Sequence, residues 1–331
     1  MSQQPTQGQV HVDQPLTQIS VAFLQDARNF VADQVFPKIG VAKQSDRYYT
    51  YDRGEFNRDE MALRAPGTES AGSGYSIDNT PTYYCPVYAM HRDIDDQVRA
   101  NADSVLSLDR EAAEYLSHKA LIKKEKLWVS KFFQGGLWTG GDVDGDSSGN
   151  VGAGEVLHWS DASSTPIEDV RSAHTAILQS TGFEPNTLVL GHEVFAKLLD
   201  HPDVIDRLKY GQTPGSPAMA SREALAALFG VERLFVMRSI ENTSAEGQAA
   251  AHSFIGGKKA LLCYSAPQPG LMTPSAGYTF QWSGMAGGGE GVRVKRLRME
   301  NLESDRVELQ MSFDQKLIAS DLGFFWDNIV A

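Results

Sequence analysis

Apolar residues recur with two different periods along this chain, and the two periods separate helical from strand-forming stretches. The longest helical stretch is Ser107 to Gln134. Leu108, Tyr115, Ile122 and Val129 repeat every seven residues, and Ala112, Leu116, Phe132 and Phe133 widen that stripe into one apolar face. Asp109, Glu111 and Glu114 near the start and Lys123, Lys124, Lys126 and Lys131 near the end complement the helix dipole. Gly135 and Gly136 stop it. At 1.5 Å per residue the helix is roughly 40 Å long. Lys119 and Lys126 fill the positions that would complete a coiled-coil seam, so the pattern predicts a spine lying across a sheet. An earlier helix is predicted from about Ile19 to Val35, with Phe23, Leu24, Ala27, Phe30, Val31 and Val35 on its apolar face and Pro37 ending it.

Strand patterns flank the spine on both sides. Arg47 to Tyr51 and Thr82 to Tyr88 are rich in tyrosine and strand-like, and the stretch 62–76 between them holds Pro66, Gly67, Gly72 and Gly74. This predicts a long two-stranded ribbon with a loose tip. Such a ribbon has few aliphatic residues to bury and is marginal alone. It either rests on its own domain or reaches a neighbouring subunit, where tyrosines suit an interface. From 187 to 264 short buried strands alternate with helices, as in an α/β module. Thr187–Leu190, Leu234–Met237 and Ala260–Tyr264 are its strands. Thr165, Pro166 and Glu168 form a capping-box pattern for the helix that leads into it, and Ser221 is placed to cap another. The loops of the module are 211–220, 241–251 and 284–291. In the tail Val307, Leu309, Met311 and Phe313 alternate with polar residues, which predicts a half-buried strand, and Val292 and Val294 belong to another. These strands need a cover that the spine can supply. The segments before and after the module are therefore expected to form one domain, with the module inserted between them.

Composition narrows the chemistry. The chain has 331 residues, 41% of them hydrophobic, and a net charge of -12. An acidic surface repels phosphate and argues against dedicated nucleic-acid binding. Residues 1–16 are polar and Gln-rich and read as a mobile arm without a secretion signal; no apolar run reaches membrane-spanning length, so a soluble cytoplasmic protein is expected. Cys85 and Cys263 make no ligand-like spacing and are expected to be buried free thiols in a reducing compartment. Asp142, Asp144 and Asp146 resemble the opening of a calcium loop, but Ser147 and Ala153 stand where glycine and glutamate are required, so a solvated turn-rich loop is expected. His192-Glu193 is followed by Ala196 rather than a second histidine, and Gly257-Lys258 lacks a phosphate-loop frame. His192 and His201 are expected at the surface. No catalytic residue, cofactor site or metal site emerges.

The order of elements resembles that of the major capsid proteins of tailed bacteriophages, the Hong Kong 97-type fold. Pro185 to Phe195, continuing through His201-Pro202-Asp203-Val204, and the closing Asp321 to Phe325 carry the likeness. The resemblance implies an α+β fold with a long spine helix, a peripheral β-sheet, an inserted α/β axial domain and an extended β-hairpin loop. It implies an N-terminal arm (1–45), an extended loop (46–90), a peripheral domain (91–185, with the spine at 107–134), an axial domain (186–290) and closing peripheral strands (291–331). It further implies self-assembly into pentamers and hexamers of an icosahedral shell that encloses double-stranded DNA without sequence-specific binding. The place implied is the virion, after assembly in the host cytoplasm, with no membrane. Scaffold, portal and cement proteins are implied as further partners. The residues assigned to contact between subunits are Arg47, Arg53, Glu55, Phe56, Arg58, Asp59, Glu60, Arg64 and Tyr75 of the extended loop. One branch of the family crosslinks subunits through a loop lysine; no lysine lies between Lys43 and Lys119 here, so no such bond is expected. The shell of an encapsulin-type compartment and a metal-dependent hydrolase are the alternatives.

Overall fold

The computed structural model describes residues 24–102, 107–147, 151–210, 221–270, 272–284 and 291–331. The Gln-rich segment 1–16, the first residues of the predicted early helix, the loop 211–220 and most of 284–291 lie outside them.

Two sheets and one long helix organise the chain. The helix runs Leu108–Phe132, close to the predicted spine. A five-stranded sheet is built on the long strand Ser304–Leu317, which pairs antiparallel with Val87–Asp95, Val292–Met299 and Gly277–Trp282; Lys38–Val41 then joins Gly277–Trp282 in parallel. Early and late segments thus share one sheet, as the tail pattern predicts. Val307, Leu309, Met311 and Phe313 are all buried. Val307 and Leu309 meet Leu108, Ala112 and Leu116 of the spine, so removal of apolar area from water fastens helix to strand.

The second sheet has six strands, in the order Arg233–Met237, Thr187–Gly191, Ala260–Cys263, Gly323–Asp327, Asp142–Asp146, Glu155–Leu157. Its central strands are buried on both faces, and alternation divides their residues between two cores. Leu188, Leu190, Leu234, Val236, Ala260, Leu262 and Trp326 face a core shared with the helices Pro166–Thr181, His192–Leu199 and Arg222–Phe229. Val189, Met237, Leu261, Cys263 and Phe325 face the other, shared with Trp128, Phe132 and Phe133 of the spine.

Several expectations are corrected. The apolar stripe of the spine is Leu108, Ala112, Leu116, Trp128 and Phe132, whereas Tyr115 is 38% exposed and Ile122 and Val129 are half-buried. Spacing by four turns about 40° per step, so the stripe winds from the first sheet to the second, and buried Lys124 and Glu125 interrupt it. No helix spans 24–35: a 3-10 turn at Ala27–Asn29 is followed by extended Phe30, because Asp26 takes the Arg28 amide and Glu125 takes those of Val31 and Ala32. Asp142–Asp146 is a strand in the second sheet rather than a solvated loop, and Asp142 accepts from the Gly136 amide. Thr165 precedes its helix without a side-chain cap bond, and Glu168 pairs with Arg207 instead. His201 is 3% exposed: its Nδ1 accepts from the Asp203 amide, and its Nε2 lies 3.0 Å from both Ser164 Oγ and the Asp161 carbonyl. Ser221 caps its helix through the Ala224 amide as predicted. Both cysteines are buried free thiols. No helix among the described residues is long and apolar enough to cross a membrane.

Candidate functional site

The extended loop has a fastened root and an uncovered end. At the root, Ser45–Arg47 pairs antiparallel with Thr82–Tyr84, and Thr50–Tyr51 pairs with Ile77–Asp78 further out. Tyr83 stacks on Phe280 at 4.7 Å between ring centroids, Tyr48 lies 5.8 Å from the same ring, and Cys85 and Tyr278 complete a small core. Burial, with Asp314 nearby, pushes the Cys85 thiol up to about 11, so it stays protonated and inert. Burial likewise raises the Tyr48 hydroxyl. The Tyr84 amide donates to Asp314 at 3.2 Å, and Ser312 Oγ donates to the Cys85 carbonyl at 3.1 Å.

Beyond the root the loop stands away from the rest of its own chain. Every residue from Phe56 to Thr80 is exposed, and Met61 and Leu63 are 97% and 103% exposed. The end is nevertheless organised by itself. Tyr51, Phe56 and Tyr75 form a ring cluster with centroids 5.4–6.1 Å apart. Glu55 accepts from the Ser76 amide at 2.5 Å and from its hydroxyl at 3.1 Å. Ser73 donates to Glu60, Arg58 pairs with Glu60 at 3.4 Å, and Arg64 Nε donates to the Thr68 carbonyl at 2.6 Å. Gly67 takes φ +79°, a turn conformation that glycine adopts freely.

The nine residues assigned to the loop interface therefore fall into groups. Phe56, Glu55 and Tyr75 come together in the cluster near the short helix Arg53–Phe56. Arg58, Glu60 and Arg64 shape the tip; Arg47 and Asp59 are exposed. Arg53 turns back to pair with Asp321 of its own chain. That partner, and the stacking of Tyr83 on Phe280, lie too far away in sequence for periodicity to reveal. Sequence reasoning also missed Glu125, a charged residue within an apolar stripe, which is the signal that could have found it. Among the described residues no group of three or more His, Cys, Asp or Glu side chains could hold a metal ion. Of the loop's carboxylates, Glu55 is held by Ser76 and Glu60 by Ser73 and Arg58.

Comparison with known proteins agrees with this architecture. The family described as Phage major capsid protein E matches residues 157–287. A major capsid protein of Pseudomonas phage JBD67 is 24% identical, with 97% of each chain covered. Among solved structures, a phage-related protein from Bordetella bronchiseptica RB50 superposes with a TM-score of 0.67 at 20% identity, covering 93% of this chain and 94% of that one. The capsid of cyanophage P-SCSP1u superposes with a TM-score of 0.61 at 10% identity, covering 95% and 92%. The chain resembles phage major capsid proteins along nearly its whole length, and its mixed helix-and-sheet fold is the one they share.

Proposed function

We propose that this chain, a structural capsid protein of a phage by its relatives, assembles with copies of itself into pentamers and hexamers of an icosahedral shell around double-stranded DNA. The observation that carries the reading is the uncovered end of the extended loop. An aromatic cluster and two fully exposed aliphatic side chains, Met61 and Leu63, project from a subunit that gives them no cover. Apolar surface presented that way marks an interaction site, and a second copy of the chain is the partner on this reading. Arg47, Arg53, Glu55, Phe56, Arg58, Asp59, Glu60, Arg64 and Tyr75 supply charge and ring area for that contact, and opposite charges on neighbouring copies set its register. Many such contacts add through multivalency, so no single interface need be tight.

In this scheme residues 1–45 are the arm, 46–90 the extended loop, 91–185 and 291–331 the peripheral region and 186–290 the axial region. Two strands tie the regions together: Gly277–Trp282 sits in the five-stranded sheet and Gly323–Asp327 in the six-stranded one. The net charge of -12 suits a container whose wall must not grip its DNA, since every phosphate contact strengthens binding. The relatives support a structural role rather than an enzymatic one. Scaffold, portal and cement proteins are further partners in this reading, with assembly in the host cytoplasm and the virion as the final location.

Deleting residues 54–78 tests it. The root core lies outside the deletion, so the variant is expected to fold and melt like the full chain yet fail to form normal shells in electron micrographs. Normal shells from the deletion variant would remove the loop from the assembly mechanism. Full-length protein that forms no shell on native expression would remove the function itself.

A further inference from the structure

Glu125 is fully buried on the spine helix, and no ion pair to it is formed among the described residues. Its carboxylate is held by neutral donors alone. The Val31 amide donates to both oxygens at 3.1 Å, the Ala32 amide to Oε2 at 2.8 Å, and Ser239 Oγ to Oε1 at 3.3 Å. These donors come from two other parts of the chain. Val31 and Ala32 belong to the segment leading out of the N-terminal region; Ser239 follows the strand Arg233–Met237 of the six-stranded sheet. The same three parts are stitched together around it. The Gln25 amide brackets Ile240, donating to its carbonyl at 2.7 Å and accepting from its N–H at 2.8 Å. The Arg238 amide donates to the Asn29 carbonyl at 3.3 Å, and Ser265 Oγ to the Val35 carbonyl at 2.6 Å. Spine helix, N-terminal segment and second sheet therefore meet at one buried carboxyl group.

We propose that Glu125 is a proton-controlled latch: with its carboxyl group uncharged, the segment 25–36 stays seated at the joint between helix and second sheet, and with the carboxylate charged the seat loosens. A buried charge without a counter-ion is costly, whereas a neutral carboxyl group fits the same site. It keeps acceptor capacity for the two backbone amides and donates its proton to Ser239 Oγ, whose hydroxyl rotates to accept. The neighbouring charges leave the cost in place. Lys124 turns to Asp33 at 2.7 Å, and Lys38 also reaches Asp33 at 3.1 Å. Asp33 itself adds repulsion. Lys126 pairs with Glu241, the Arg238 side chain lies over the Phe195 ring, and His118 is set against the Phe30 ring. From the long strand of the first sheet, uncharged Gln315 reaches the Lys124 carbonyl.

Burial accordingly raises the Glu125 carboxyl from an ordinary 4.5 to about 7, against the lowering effect of the amide and hydroxyl donors. A seated state with the higher value binds the proton more tightly than an unseated one. The latch is therefore closed below the ordinary value and loses its stabilisation as pH rises through the raised one. The inference concerns a single subunit and does not depend on shell assembly.

Hydrogen exchange of the full-length chain, followed by mass spectrometry over peptides covering 25–36 and corrected for intrinsic exchange, tests it. Protection there is expected to fall more than about tenfold between about pH 5 and about pH 8, each unit of pKa difference being worth a factor of ten. Glu125→Gln, which keeps an acceptor for the amides and a donor for Ser239, is expected to hold the low-pH level of protection across the range. Ser239→Ala removes a donor that lowers the carboxyl's value and is expected to move the fall to higher pH. Wild-type protection that stays flat would overturn the latch. A Glu125→Gln profile that keeps the wild-type fall would also overturn it, assigning the dependence to Asp33 or His118.

Discussion

Gly191 stands where the buried strand Thr187–Gly191 passes into the helix His192–Leu199, and there is no room there for a side chain. Its φ of -64° is open to any residue, but a Cβ would run into the carbonyl oxygen of Gly257. The two backbones approach closely because the Gly191 amide donates to the Lys259 carbonyl at 2.9 Å. Gly191→Ala is therefore expected to force a backbone shift costing about 1–3 kcal/mol, measured as a lower urea midpoint with an unchanged slope. An unchanged midpoint would mean that the Gly256–Gly257 turn yields freely. The strand was legible in the sequence as Thr187–Leu190, though the need for a glycine after it was not. Glu125 and His201 escaped for a related reason. Each is a polar residue on a buried face, and the partners that make such burial tolerable, Ser239 for one and Ser164 for the other, lie far away along the chain.

At the scale of elements, legibility followed how much of each element's conformation its own residues decide. The strand Ser304–Leu317 was plain because one face is buried and alternation records it. The spine's extent was plain from its charges and its closing glycines, and so was most of its buried face: Leu108, Ala112, Leu116, Phe132 and Phe133 are buried, whereas Tyr115, Ile122 and Val129 of the seven-residue repeat are not. The difference can be measured. Leu116 is 1% exposed and touches Ala112, Val307 and their neighbours, while Tyr115 beside it is 38% exposed. Leu116→Ala is expected to cost about 2–5 kcal/mol and Tyr115→Ala within about 0.5 kcal/mol, both read from denaturation midpoints. Equal losses would restore the seven-residue face. The predicted helix ending at Val35 failed in the opposite way. Its apolar residues are buried, as Phe30, Val31 and Val35 show, but tertiary acceptors claim the amides that a helix would have used. The loop was legible as a ribbon with a Gly- and Pro-rich tip. Its root was not, because Phe280, Asp314 and Asp321 come from the other end of the chain.

The whole molecule is held together by a sheet that serves two cores at once. Val189 faces the spine side while Leu188 and Leu190 face the helices; Leu261 and Leu262, and Phe325 and Trp326, divide in the same way. The strand Gly323–Asp327 is interior to that sheet. It pairs antiparallel with Ala260–Cys263 on one side and parallel with Asp142–Asp146 on the other. Residues 318–331 thus supply side chains to both cores, next to strands laid down much earlier in sequence. Deleting 318–331 removes Phe325, Trp326, Ile329 and Val330, all at most 1% exposed. Losing one large buried side chain costs about 3–5 kcal/mol, and a whole domain is stable by only about 5–15 kcal/mol. The truncated chain is therefore expected to show no cooperative thermal transition by circular dichroism and to be recovered only from the insoluble fraction. The loop deletion 54–78, which removes more residues but no core, is expected to melt as the full chain does. A soluble 318–331 truncation with a cooperative melt would show that each core closes without the strand between them, and the two sheets would then have to be treated as separately stable parts.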